Sequence, residues 1–173
     1  MQADPPKVRD AASPLYKAGD MVICNFPYSA APSKPGPEPH TVIYLGATKL
    51  PSGGVAAIVT YTTTQYSNRA EALPPDEVQV DPDVARSFGQ KPFTAHAHKL
   101  AVIPFDRSFF RRIEDPPAYG RTGHAPRPVM DRVITAVDRA RKPGATRPVE
   151  VYGPGTRLAP KVNHSRREHG AYR

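Results

Sequence analysis

Twenty-two of the chain's 173 residues are proline, spread over its whole length. Each one removes a backbone donor, and its ring clashes inside a helix. Long helices are therefore excluded from most of the sequence, and short strands joined by turns remain the way to build a core. Five runs fit that rule. "MVICNF" follows the Gly19-Asp20 turn and ends at Pro27; "HTVIYLGA" follows a proline-stiffened loop over 30–39. "GGVAAIVTYTTTQY" opens on a Gly-Gly turn and is rich in β-branched residues. "DEVQVD" alternates, with Val78 and Val80 on one face, and "FTAHAHKLAVIP" is the fifth run. "FDRSFFRRI" reads as a further turn or short strand, and "EDPPAYGRTGHAPRP" as a link.

Two places escape the proline rule. "DPDVARSFGQ" reads as a short helix that Asp81 or Asp83 can cap and Gly89 can end. The second helix runs from Val129 to about Arg141, with Val129, Val133, Ile134 and Val137 as its apolar stripe. Pro128 suits its first turn, and Pro143-Gly144 stops it. The fold class is thus mainly β: a small, strongly bent antiparallel sheet or open barrel, with a short helix and a C-terminal α-helix. Residues 1–14 read as a disordered arm, 15–141 as the folded domain, and 142–173 as a basic, disordered tail.

Charge narrows the partners. The tail carries seven Lys/Arg against two Asp/Glu, whereas residues 14–141 are close to balance, with fifteen against twelve. The tail suits a polyanion or serves solubility, and a nucleic-acid site in the body has to be local. One cysteine, Cys24, excludes an internal disulfide and fits a reducing compartment. No apolar run approaches the roughly 20 residues that span a bilayer. The expectation is a cytoplasmic protein without a membrane partner.

Three constellations bear chemistry. His96 and His98 share one strand face, with Ala95 and Ala97 on the other. Histidine titrates near neutrality, so one ring can act as base and its neighbour as acid, a pairing suited to cleavage of RNA by its own 2′-hydroxyl. A metal would need further ligands, which His40 or His124 could supply, and two surface histidines without function is the plain alternative. In "TYTTTQ", Thr60, Thr62 and Thr64 alternate with Tyr61 and Thr63, and such hydroxyls can hold a phosphate. Scattered cations, Lys34, Arg69, Lys91 and Lys99, complete the set.

The order of these pieces resembles the MazF/PemK-like toxins of type II toxin–antitoxin systems. "KAGDMVICNFPYS" is similar to their opening strand, K-x-G-D-I-V-L-V-x-F-P. Glu38-Pro39-His40-Thr41-Val42 stands where a strand commonly begins Arg-Pro-x-x-Val. Thr62 and Thr63 match a Pro-(Ile/Leu)-Thr-(Ser/Thr) element, and "FGQKPFTAHAHKLAVIP" looks like the Gly-Leu-x-x-Pro-Ser stretch and the strand after it. The likeness covers roughly residues 15–141. It implies an SH3-like barrel of about five to seven antiparallel strands, usually a homodimer. It also implies a cofactor-free, metal-independent endoribonuclease toxin that a cognate antitoxin restrains.

An ungapped match puts the family's catalytic Arg and Asp at His96 and His98, and Glu38 replaces a phosphate-holding Arg. The implied site has His96 and His98 as general base and acid, with Thr62 and Thr63 positioning the phosphate. His40, Lys34, Lys99 and Thr64 would contact RNA. The alternative is a catalytically degenerate SH3-like module that binds nucleic acid or protein without cutting.

Overall fold

A computed structural model of the chain describes residues 15–64 and 74–154. Arg69, the 1–14 arm and residues 155–173 of the expected tail lie outside the described residues.

The chain is mainly β. Strands β1 (Asp20–Cys24), β2 (His40–Lys49), β3 (Val55–Thr63), β4 (Glu77–Val80), β5 (Phe93–Pro104), β6 (Arg121–His124) and β7 (Glu150–Tyr152) form one sheet. Two helices accompany it, α1 (Pro82–Ser87) and α2 (Arg127–Arg141). The strand order is β4-β5-β3-β2-β1-β6, antiparallel throughout, and β7 joins β5 in parallel. The sheet is open, with β4 and β6 at the two ends of the path, so the expected barrel does not close.

Alternation along the strands gives the sheet two buried faces. Met21, Ile43, Val80 and Ala95 pack with Val129, Val133 and Val137 of α2. On the other side Val22, Val42, Tyr44, Val59 and Ile103 pack with Tyr16, Phe109 and Phe110. The small side chains of Ala95 and Ala97, both fully buried, lie in the cluster that includes α2. His96, between them, therefore belongs to the opposite face.

Three sequence expectations need correction. Ile134 is 48% exposed; five residues beyond Val129 it has rotated about 140° off the stripe, and Met130, Ala136 and Ala140 are buried instead. The link after the fifth strand contains β6, whose four residues are too few for a periodic signal. The tail does not begin at 142: Val149 N–H donates to the Ala140 carbonyl, and the chain turns back into β7.

Close backbone contacts fix the segments around the later cavity. A Cβ on Gly36 would lie 2.2 Å from the Phe26 carbonyl oxygen, so glycine alone lets the proline loop pass there. The buried Asn25 amide holds that loop by donating to the Gly36 carbonyl at 2.8 Å. Gly153, at φ +125°, passes so close to Val102 that a Cβ would meet its carbonyl oxygen at 1.9 Å. Its N–H donates to the Pro32 carbonyl, tying the end of β7 to the same loop.

Candidate functional site

The site originates in an irregularity of β5. Thr60 of β3 pairs with Leu100, but the next residue, Tyr61, pairs with His96, so residues 97–99 bulge away from β3. The buried Thr60 hydroxyl sits beneath the bulge, 3.0 Å from the His96 carbonyl oxygen and 3.3 Å from that of Lys99.

On its other edge β5 changes partners at the same place. β4 runs antiparallel along Phe93–His96 and ends with Glu77 opposite His96. β7 takes over in parallel, with Glu150 opposite Lys99. Asp76, just before β4, accepts the Ala97 N–H through its carbonyl in the gap. The two registers therefore converge Asp76, Glu77 and the segment leading into β7 upon His96 and His98.

Each histidine meets one carboxylate. His98 Nδ1 stands 2.5 Å from Asp76 Oδ2, both side chains only 6% exposed, in close contact without the alignment of a hydrogen bond. Two lone pairs at that distance would repel, so Nδ1 carries the proton and Nε2 is the basic nitrogen. His96 Nδ1 is 3.6 Å from Glu77 Oε1, and its side chain is 18% exposed. The imidazole rings lie edge to face, with centroids 5.8 Å apart.

Arg147 joins the two pairs. Its Nε donates to Asp76 Oδ1 at 3.1 Å, and its Nη2 lies 2.9 Å from both Asp76 Oδ2 and Glu77 Oε1. The guanidinium supplies the positive charge between the carboxylates. Among the described residues no three His, Cys, Asp or Glu side chains converge as a metal-binding set. His124 lies elsewhere, 2.9 Å from Asp20.

Burial is the main force lowering the pKa of both histidines. Glu77 pulls His96 back upward, while Lys99, His98 and Arg147 push it further down. Asp76 would favour an imidazolium at His98, but that carboxylate is already engaged by Arg147, and burial wins. Arg147 is held above its ordinary value: burial works against it, and the hydrogen bonds to Glu77 and Asp76 outweigh that cost. Both imidazoles are therefore neutral at neutral pH.

His96 packs against Tyr61, which lines a cavity of about 520 Å³; neither His96 nor His98 is in that lining. Tyr61 is the hinge between His96 and the cavity: its ring lies 5.7 Å from that of His96 and 5.4 Å from that of His40. Lys99 Nζ sits 5.6 Å from the Tyr61 centroid. Phe26, Tyr28 and Tyr152 continue the aromatic wall, and Glu38 and Glu150 add two carboxylates. Tyr28 is 44% exposed, an open face for stacking.

Of the sequence-derived candidates, the structure gathers His40, His96 and Lys99 around Tyr61, with His98 behind the ring of His96. Thr62 does not join them: its side chain is buried on the opposite face, and its hydroxyl donates to the Thr41 carbonyl at 2.5 Å. Thr63 does share the His96 face, two rows away, opposite Thr94. Thr64 is exposed at the end of β3, and Lys34 is exposed on the proline loop; neither lines the cavity.

Sequence reasoning missed Asp76, Glu77, Arg147 and Tyr61. The Asp76-Glu77 pair opening "DEVQV" was a readable signal once that strand was paired with "FTAHAH". Arg147 gave none, because it lies in a segment without periodicity. The Cys24 thiol plays no part; it is buried, and burial raises its pKa.

No model of a known protein family matches the sequence, and no curated protein matches it. The geometry alone therefore bears on what the site does.

Proposed function

We propose that the protein is a metal-independent endoribonuclease of the toxin kind, acting on RNA laid along the aromatic cavity. The observation that supports this most is the pair of carboxylate-backed, neutral histidines, one of which packs on Tyr61 in the wall of an open cavity that also holds Lys99. His96, the more exposed ring, takes the 2′-hydroxyl proton. The 2′-oxygen attacks phosphorus, the P–O5′ bond breaks, and the 5′-oxygen leaves with a proton. The products are a 2′,3′-cyclic phosphate and a 5′-hydroxyl.

His98 is too buried to touch a phosphodiester, so it backs His96 instead. In this reading His40, on the other side of Tyr61, protonates the 5′-oxygen, and Lys99 offsets phosphate charge. Tyr28 and Tyr61 offer stacking surfaces that any base can use. A cognate antitoxin covering the cavity and a second copy of the chain belong to this reading through the family resemblance alone. A cytoplasmic location also fits it; no described helix is long and apolar enough to cross a membrane.

One observation favours a second reading. Glu38 and Glu150 line the cavity, and carboxylates repel a phosphate. A module that binds without cutting would tolerate them. Incubating the purified protein with a long RNA, with and without a chelator, separates the readings. Fragments that persist in chelator support the nuclease. RNA that is retained but intact at protein excess supports the binding module.

A further inference from the structure

Arg147 reaches the site from the segment that leads into β7, whose Glu150 and Tyr152 line the neighbouring cavity. The chain leaves α2, folds back on Ala140 and enters β7 beside β5. On the way it places one guanidinium against the two carboxylates that face the two histidines, at 2.9 to 3.1 Å. We infer that Arg147 is a positioning residue that makes the Asp76–His98 and Glu77–His96 pairs a single unit, completed only when the 142–154 segment docks. This deepens the nuclease reading, because His96 is the proton acceptor there, but its test needs no RNA.

The charges follow from geometry. His96 faces Glu77 from β4, Tyr61 from β3, His98 and Lys99 from β5, and Arg147. His98 faces Asp76, Arg147, Lys99 and, from β7, Glu150. Without Arg147 both carboxylates lose their fixed counter-ion, and each draws a proton onto its histidine. With Arg147 but without Glu77, the whole guanidinium charge falls on Asp76 and His98. The two histidines therefore respond together to a change at either pair.

Histidine ring resonances of the full chain, titrated by NMR, read this directly. In Arg147→Gln both midpoints rise, while burial, unchanged, still holds them below the ordinary histidine value. Protection of the Val151 and Tyr152 amides, followed in the same samples, shows whether β7 stays docked. Exposure of the rings would instead carry both midpoints up to the ordinary value. Arg147→Lys, a point charge that cannot fork, restores a low midpoint for at most one histidine.

Glu77→Gln gives the independent check, since it leaves Arg147 in place. Both midpoints fall if the unit is one; a fall at His96 alone overturns the inference. Unchanged midpoints in Arg147→Gln with β7 still protected overturn it as well. If Arg147→Gln releases β7, the Glu77→Gln result decides. RNA cleavage that fails while these couplings hold would refute the nuclease reading and leave this one intact.

Discussion

Replacing Thr60 by valine tests whether the β5 bulge is what aims the histidines. The side chain is fully buried, and its hydroxyl holds the His96 and Lys99 carbonyl oxygens on either side of the bulge. Losing the hydrogen bond costs about 1 kcal/mol net, and leaving a buried carbonyl short of a donor adds about 1–2 kcal/mol. The new methyl group returns about 0.8 kcal/mol through burial. The expected destabilisation is therefore about 1–2 kcal/mol, measured by chemical denaturation. Thr62→Val is the matched control: similar chemistry, similar burial, but a bond to Thr41 on β2, remote from the bulge. Both variants should lose comparable stability. Only Thr60→Val should shift the ring resonances of His96 and His98 and reduce RNA cleavage. Equal effects of the two variants on those resonances, or a Thr60→Val cost below about 0.3 kcal/mol, would refute the role given to the bulge.

Further expectations follow from the same geometry. His96 and His98 bind protons less readily folded than unfolded, so the unfolded chain takes up more protons as pH falls below about 6.5. Thermal stability should be full above that pH and decline on acidification, and His98→Asn should flatten the decline; a wild-type melting temperature independent of pH between 5 and 8 would contradict this. Gly153→Ala should lower the melting temperature and release β7, because its Cβ would strike the Val102 carbonyl, while Gly54→Ala, with nothing within 4 Å, should change little. Lys99→Met should weaken RNA binding and reduce the salt dependence of log K by about one phosphate's worth; an unchanged slope would remove Lys99 from the RNA path. Cys24 should resist thiol reagents until the protein is denatured, and rapid labelling of the native chain would contradict its burial.

Much of the fold was legible because proline and alternation act locally. Each of the five expected strands overlaps an observed one, and the prolines and glycines around them mark the turns. β6 and β7 were not legible: three or four residues carry no period, and what holds them is pairing with β1 and β5 across long sequence separations. The His-x-His motif was visible, since its chemistry resides in two letters one residue apart. Its partners were not, because Asp76, Glu77 and Arg147 meet only where β4 stops and β7 starts along β5. Thr62 misled for the opposite reason. Alternation correctly divided the threonines between two faces, but only pairing with β5 reveals that Tyr61 and Thr63, rather than Thr62, share the histidine side.

The central claim is that His96 drives attack by the substrate's own 2′-hydroxyl. A matched pair of single-stranded oligonucleotides, one RNA and one fully 2′-O-methylated, tests it in chelator-containing buffer. The account predicts that the wild-type protein cuts the RNA to products ending in 2′,3′-cyclic phosphate. It also predicts that the methylated strand stays whole and that His96→Ala cuts neither. Cleavage of the methylated strand, or undiminished cleavage by His96→Ala, would contradict it.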